Sequence, residues 1–204
     1  MRLAMLAAQQ RRPRHPDAAA EERQAHPGAK IEFWARDERR IGLKPITRGV
    51  WAPIGERPVA LGHHRFEWLY LTGFVGPAIG ATVWTITNAI SKELFELVLA
   101  DFAKSVGAGE NKRTLLQLAK ACRHGPENLA VPDGVRLVFQ PPHSPELQPA
   151  EHLRAFDDDL LVNTYFKTLD DLDEAVAERC VALTSRCEAI CAGTYFTGGR
   201  TRLR

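Results

Sequence analysis

EWLYLTGFVG (residues 67–76) and ATVWTITNA (residues 81–89) are the two runs whose reading decides the fold. Both are rich in Trp, Thr, Val and Ile, and the stretch between them holds Pro77 and Gly80. β-branched and aromatic side chains fit a pleated, half-buried surface, and a Gly/Pro turn between two such runs predicts an antiparallel hairpin. Upstream, the texture changes at Lys30, and IEFWA reads as a compact apolar strand ending in Asp37-Glu38. GVWAPIG (49–55) and RPVALG (57–62) read as short β pieces around a Pro/Gly turn. Downstream, SKELFELVLADFAKSVG (91–107) repeats Phe95, Val98, Phe102 and Val106 at helical spacing. Ser91 suits its N-cap, Glu93 its first turn and Gly107 its stop. TLLQLA (114–119) and VRLVFQ (135–140) read as buried strands, and PPHSPELQP as a rigid turn into a helix from about Pro149. Thr168 with Asp171 has the spacing of a capping box, opening a helix whose apolar stripe is Leu169, Leu172, Val176, Cys180 and Leu183. Three or four strands, a helix, two more strands and then helices give an α/β fold, a mixed sheet flanked by helices.

Composition bounds the class. The chain has 204 residues, 45% hydrophobic and 25% charged, with a formal net charge of +2. Those values belong to a globular protein with one domain and exclude a disordered or collagen-like chain. No run of about 18 apolar residues predicts a membrane span. In MRLAMLAAQQRRPR the arginines follow the apolar stretch, the reverse of a secretory signal, so the expected location is cytoplasmic. Cys122, Cys180, Cys187 and Cys191 make no CxxC pair and have no histidine close in sequence, as expected of reduced thiols. Residues 1–30 carry net +3, residues 193–204 net +3, and the body between them net −4. The body is therefore no basic DNA-gripping surface by itself, although both ends suit phosphate. Residues 1–29, where AAAEERQA (18–25) could be helical but Pro13, Pro16 and Pro27 break the segment around it, read as poorly ordered; 30–185 form the domain and 186–204 a basic tail. Trp34, Trp51, Trp68 and Trp84 lie in strand-like runs and read as packing residues.

Ligands of an open α/β sheet gather at strand C-terminal ends. Asp37 stands at one such end, position 119 at another, and Glu151 at the start of a helix after a proline-stiffened turn. Three distant segments converging on one edge is what two-metal phosphoryl transfer needs, since Mg²⁺ wants carboxylate oxygens from rigid elements. By spacing alone, Asp37 and Glu38 equally suit a turn and Glu151 the first turn of a helix.

The order of motifs adds to this. Asp37-Glu38, RIGLKP (40–45) and VWAPIGERP (50–58) resemble the opening of the catalytic domain of mariner-type DDE transposases, most closely their bacterial insertion-sequence branch. EWLYLTGFV fits the next strand. NLAVPDGVRLVFQPPHSPELQPAE (128–151) resembles the segment that leads to the family's third acidic ligand, and NTYFKTLDDLDEAVAERC (163–180) the helix after it. The resemblance covers roughly residues 28–185. It implies an RNase H-like fold, with Mg²⁺- or Mn²⁺-dependent cutting and joining of transposon-end DNA during transposition. It also implies a dimeric or higher assembly, either a homo-oligomer or a complex with a full-length transposase. By this match Asp37 is the first catalytic and metal-binding carboxylate and Glu151 the third.

The departures from the family pattern are specific. The second carboxylate belongs in a segment reading roughly L-D-x-A-G-W-H; here Leu118-Ala119-Lys120-Ala121-Cys122-Arg123-His124 puts Ala119 in its place. Arg154 stands where an aromatic residue usually follows the glutamate, and His143 where the turn commonly has one. His124 matches the family's histidine. About thirty residues precede the first strand, so the resemblance implies a truncated copy without the N-terminal DNA-binding modules. Alanine offers a metal no oxygen, so the expected site is degenerate and strand transfer weak or absent, unless Asp133, Glu127 or one of Asp157, Asp158 and Asp159 substitutes. Two alternatives stand beside this reading: a non-enzymatic remnant that binds DNA or a complete transposase, and another RNase H-like nuclease.

Overall fold

The computed structural model describes residues 15–44, 49–56, 59, 65–119, 129–140, 148–154, 156 and 161–194. Its centre is a five-stranded sheet built from β1 (Lys30–Gly42), β2 (Trp68–Gly76), β3 (Ala81–Thr87), β4 (Lys112–Leu118) and β5 (Val135–Phe139), in the order β3-β2-β1-β4-β5. β1, β2 and β3 are antiparallel neighbours, whereas β4 and β5 run parallel to β1. The hairpin read from 67–89 is therefore present, with Gly76 opposite Ala81. Parallel strands need a crossover, and α2 (Lys92–Val106) supplies the one between β3 and β4.

Strand alternation sends successive side chains to opposite faces. On one face Trp34, Phe74, Leu116 and Leu118 pack against Phe95, Leu99 and Phe102 of α2. The ends of α2 are fixed as expected. The Ser91 side chain accepts from the Leu94 N–H, and Gly107, at φ 68°, takes the left-handed cap conformation that only glycine adopts without strain. On the opposite face Ile41, Leu69 and Leu71 meet Leu172, Val176 and Cys180 of α3 (Leu169–Thr184). Ala35 and Val75 on that face meet Ala150, Leu153, Leu183 and Ile190. The Thr168–Asp171 capping box opens α3.

Several expectations are corrected. Residues 15–25, read within a poorly ordered segment, form helix α1 (His15–Ala25). Pro16 falls in its first turn, where the missing N–H has no partner to lose. Ala18 is fully buried against Leu115 and Val138, and Glu22 bonds Arg113 (3.2 Å) and Arg136 (3.3 Å). Residues 187–194, assigned to the tail, form α4 (Cys187–Thr194), which buries Ile190 completely. The piece 49–55 forms no strand, and Trp51 and Ile54 there are fully exposed. Trp34 is a core residue, edge-on to Phe102 at 5.4 Å, but Trp68 lies at the surface with the Arg40 guanidinium 4.9 Å above its ring. Cys180, Cys187 and Cys191 are in no disulfide. No helix among the described residues is long and apolar enough to cross a membrane.

Glu32 ties the N-terminal ends of β1 and β4 together. Its buried carboxylate takes Lys30 Nζ at 2.7 Å, Lys112 Nζ at 2.9 Å and Trp34 Nε1 at 3.2 Å. Burial pushes its pKa up, but the bonds from Lys30, Lys112 and Trp34 together outweigh burial and hold it below the ordinary 4.5. A carboxyl depressed in the folded state stabilises the fold above its unfolded pKa, and that contribution disappears as pH falls through the folded value. Glu32→Gln is therefore expected to lower the urea midpoint at pH 7 and to flatten its fall below about pH 4.5. An unchanged acid limb in the variant would show that other carboxylates set it.

Candidate active site

β1 does not stop at Asp37, as the sequence suggested, but continues to Gly42 because β2 accompanies it throughout, with Asp37 opposite Gly73. β4 is shorter. Its pairing with β1 runs from Lys30↔Lys112 to Ala35↔Gln117. Continued for two residues beyond that last pair, the same register would bring Ala119, the first residue after β4, level with Asp37. Asp37 is thus mid-strand in its own strand yet at the C-terminal rim of the parallel half of the sheet. Its side chain points to the same face as Ala35, the face carrying α3 and α4.

The segment with Glu151 lies on this face. Gln148 is 1% exposed and donates from Nε2 to the Arg36 carbonyl at 2.9 Å, pinning the segment to β1 one residue from Asp37. Pro149 opens a 3-10 turn (Pro149–His152), and helical backbone continues through Leu153 and Arg154. Ala150 and Leu153 are buried against the sheet, Glu151 is partly exposed, and His152 is exposed. Residues three apart share one side of such a turn, so Glu151 and Arg154 belong to the same side.

Arg154 completes the arrangement. Its Nε donates to Asp37 Oδ2 at 3.0 Å, and its Nη2 stands 2.9 Å from the same oxygen in an ion pair. The Asp37 side chain is 16% exposed and that of Arg154 50%. A carboxylate so largely removed from water needs a partner charge, and a guanidinium is a strong one. The recess around this pair is walled by Trp84 and Leu153 and includes Arg39. Gly73 makes that wall possible: a Cβ there would stand 2.7 Å from the Trp84 ring and 3.2 Å from Leu153, so the glycine lets both side chains reach the strand beside Asp37. On the other face Arg36 bonds Glu38 and lies 4.5 Å over the Phe95 ring, leaving Glu38 directed away from the Asp37 side.

Two-metal chemistry at this rim would need three or more converging donors, and no such group exists among the described residues. Position 119 offers a methyl group, and the one Asp37 oxygen described in contact is held by a cation. Asp133, considered as a substitute ligand, is excluded by topology. It precedes β5, at the N-terminal end of the parallel strands, where it accepts from the Gly134 N–H at 2.8 Å and from Arg113 at 3.1 Å. Those two bonds, the backbone one first, hold its pKa below the usual aspartate value. Lys120, His124, Glu127, His143 and Asp157, Asp158 and Asp159 lie outside the described residues. Sequence reasoning marked Arg154 as a departure but not as the partner of Asp37; its spacing of three from Glu151 was the available signal.

Residues 32–173 match the family described as DDE superfamily endonuclease. The chain is 36% identical over 106 residues, 52% of its length, to the uncharacterized protein y4pE/y4sA of Sinorhizobium fredii (strain NBRC 101917 / NGR234), covering 77% of that protein. Among solved structures, the Mos1 mariner paired end complex with Mn matches with a TM-score of 0.52 at 14% identity, over 80% of this chain and 55% of that one. A pre-cleavage Mos1 transpososome matches with a TM-score of 0.52 at 16% identity, over 86% of this chain and 58% of that one. The chain therefore spans somewhat more than half the length of the Mos1 chains it matches. Its mixed five-stranded sheet flanked by helices is the RNase H-like fold expected from sequence.

Proposed function

The chain belongs to the DDE superfamily endonucleases, and from that premise we propose that it is a transposase-type catalytic core whose DNA-cutting chemistry is impaired at the second carboxylate. The observation that supports this reading is the β1–β4 register, whose last pair Ala35↔Gln117, continued for two residues, brings Ala119 level with Asp37. In this family a divalent metal polarises the phosphodiester and generates the attacking nucleophile. The donor set of this chain does not fit that metal: Asp37 and Glu151 are the remaining carboxylates, position 119 supplies no oxygen, and Arg154 holds Asp37. No catalytic step is therefore assigned to it.

What the chain keeps is the framework. Asp37, the pinned Gln148 and the Glu151 segment still meet at one rim. The basic segments at both ends, each net +3, would meet DNA phosphates. The Mos1 neighbours are described as paired-end and strand transfer complexes. By analogy the partners here are transposon-end DNA and a second transposase chain, either another copy or a full-length one. A non-cutting member of such an assembly would lower the activity of intact copies.

The test is nicking of end-labelled transposon-end DNA with Mg²⁺ or Mn²⁺. The expected result is no cleavage above that of Asp37→Asn. Metal-dependent nicking that Asp37→Asn abolishes would overturn the impairment.

A further inference from the structure

We infer that Arg154 is the resident counter-cation of the acidic rim, taking over from a divalent ion the task of compensating Asp37 and joining it to the Glu151 segment. The inference deepens the proposed function and rests on its reading of Asp37 and position 119 as the metal edge. Three observations carry it. Asp37 is half-buried, with 16% of its side chain exposed, and a carboxylate that has lost most of its water is costly without a partner charge. The described partner is a guanidinium with Nε hydrogen-bonded to one oxygen and Nη2 2.9 Å from it. That guanidinium comes from the segment bearing Glu151, three residues further along, so one side chain ties the Glu151 segment to Asp37.

Ordinary surface ion pairing is a weaker account. An exposed pair contributes little because water solvates both charges in its absence. Here the carboxylate shares a recess with Gly73, Trp84 and Leu153 and its side chain is 16% exposed, so it keeps less water than a surface acid. The pair also differs from the Arg113–Asp133 bridge, whose acid is 76% exposed at the far end of the sheet. An internal cation has a consequence that a merely missing ligand lacks. The rim is already neutralised, so the folded domain is indifferent to divalent ions, and removing the cation uncovers an affinity the wild type does not express.

The full chain and its variants are titrated with Mn²⁺ while the electron paramagnetic resonance signal of the free ion is followed, and melting temperatures are recorded in EDTA and in millimolar Mn²⁺. The wild type and Arg154→Lys are expected to melt at the same temperature in both solutions. Arg154→Met is expected to melt about 3–6 °C lower in EDTA, to recover most of that loss in Mn²⁺ and to quench the free-ion signal. Equal Mn²⁺ stabilisation of the wild type and Arg154→Met would overturn the inference, since the arginine would then exclude nothing. So would an Arg154→Met variant that ignores Mn²⁺, and Ala119→Asp/Arg154→Met separates the causes in that event. Mn²⁺ binding by the double variant would leave the metal edge standing and assign its silence to donor count. No binding there would remove the metal edge itself, and with it the proposed function.

Discussion

Ala119→Asp combined with Arg154→Trp is expected to raise metal-dependent nicking of transposon-end DNA by on the order of 10³-fold or more over the wild type. The first change restores an oxygen donor on the residue that the strand register, continued for two residues, brings level with Asp37. The second removes the guanidinium from Asp37 Oδ2 and returns an aromatic residue to a position where the family usually has one. Two-metal chemistry stabilises charge on both the attacking and the leaving oxygen, and a missing ligand costs several kcal/mol at the transition state, each 1.36 kcal/mol being tenfold in rate. Neither single change should recover much. Ala119→Asp alone adds a carboxylate next to one still held by Arg154, and Arg154→Trp alone frees Asp37 in a site short of donors. Effects of groups that act as a unit are strongly non-additive, so the double variant should exceed the product of the singles. Single-turnover nicking of labelled DNA measures this. A double variant that folds and binds Mn²⁺ yet cuts no faster would show that the cause of impairment lies elsewhere.

Phe74→Ala is expected to cost about 3–5 kcal/mol of folding stability, a large share of the 5–15 kcal/mol typical of a domain. Phe74 is fully buried in the middle of β2 and stacks on Phe102 of α2, with ring centroids 4.2 Å apart and 14° between planes. Deleting the ring removes that contact and leaves a cavity between sheet and helix which neither rigid element can close. Trp51→Ala removes an equally large aromatic residue from a fully exposed position and should change stability by less than about 0.5 kcal/mol. Urea midpoints for the pair test the assignment. Similar losses in both would mean that the β1–β2 connection is packed against something, or that the Phe74 layer is not the core.

The regular elements were legible because periodicity and end chemistry agree in them. The hairpin has β-branched runs on both sides of a Gly/Pro turn, α2 has its stripe between Ser91 and Gly107, and α3 has its capping box. Local and tertiary preferences point the same way at each of these positions. The errors fall where tertiary contacts decide. Asp37 reads as a strand end because charged residues follow the apolar run, yet β2 extends the strand to Gly42. Residues 15–25 read as poorly ordered because they are polar and proline-flanked, yet Ala18 and Glu22 dock that helix on β4 and β5. Ile190 is a single apolar anchor for α4, too slight a signal to separate a packed helix from a tail. At the candidate site Asp37, Ala119 and Glu151 were visible as residues. Their alignment on one rim depends on strand register, and the clamp by Arg154 depends on a contact across 117 positions of sequence.

On this reading a guanidinium neutralises the acidic rim and keeps divalent ions from Asp37. Anomalous scattering from crystals of the full chain equilibrated with Mn²⁺ tests it most directly. The expected map shows Arg154 on Asp37 Oδ2 and no manganese peak within coordination distance of that carboxylate. A manganese peak shared by Asp37 and Glu151, with Arg154 turned out to solvent, would contradict the account.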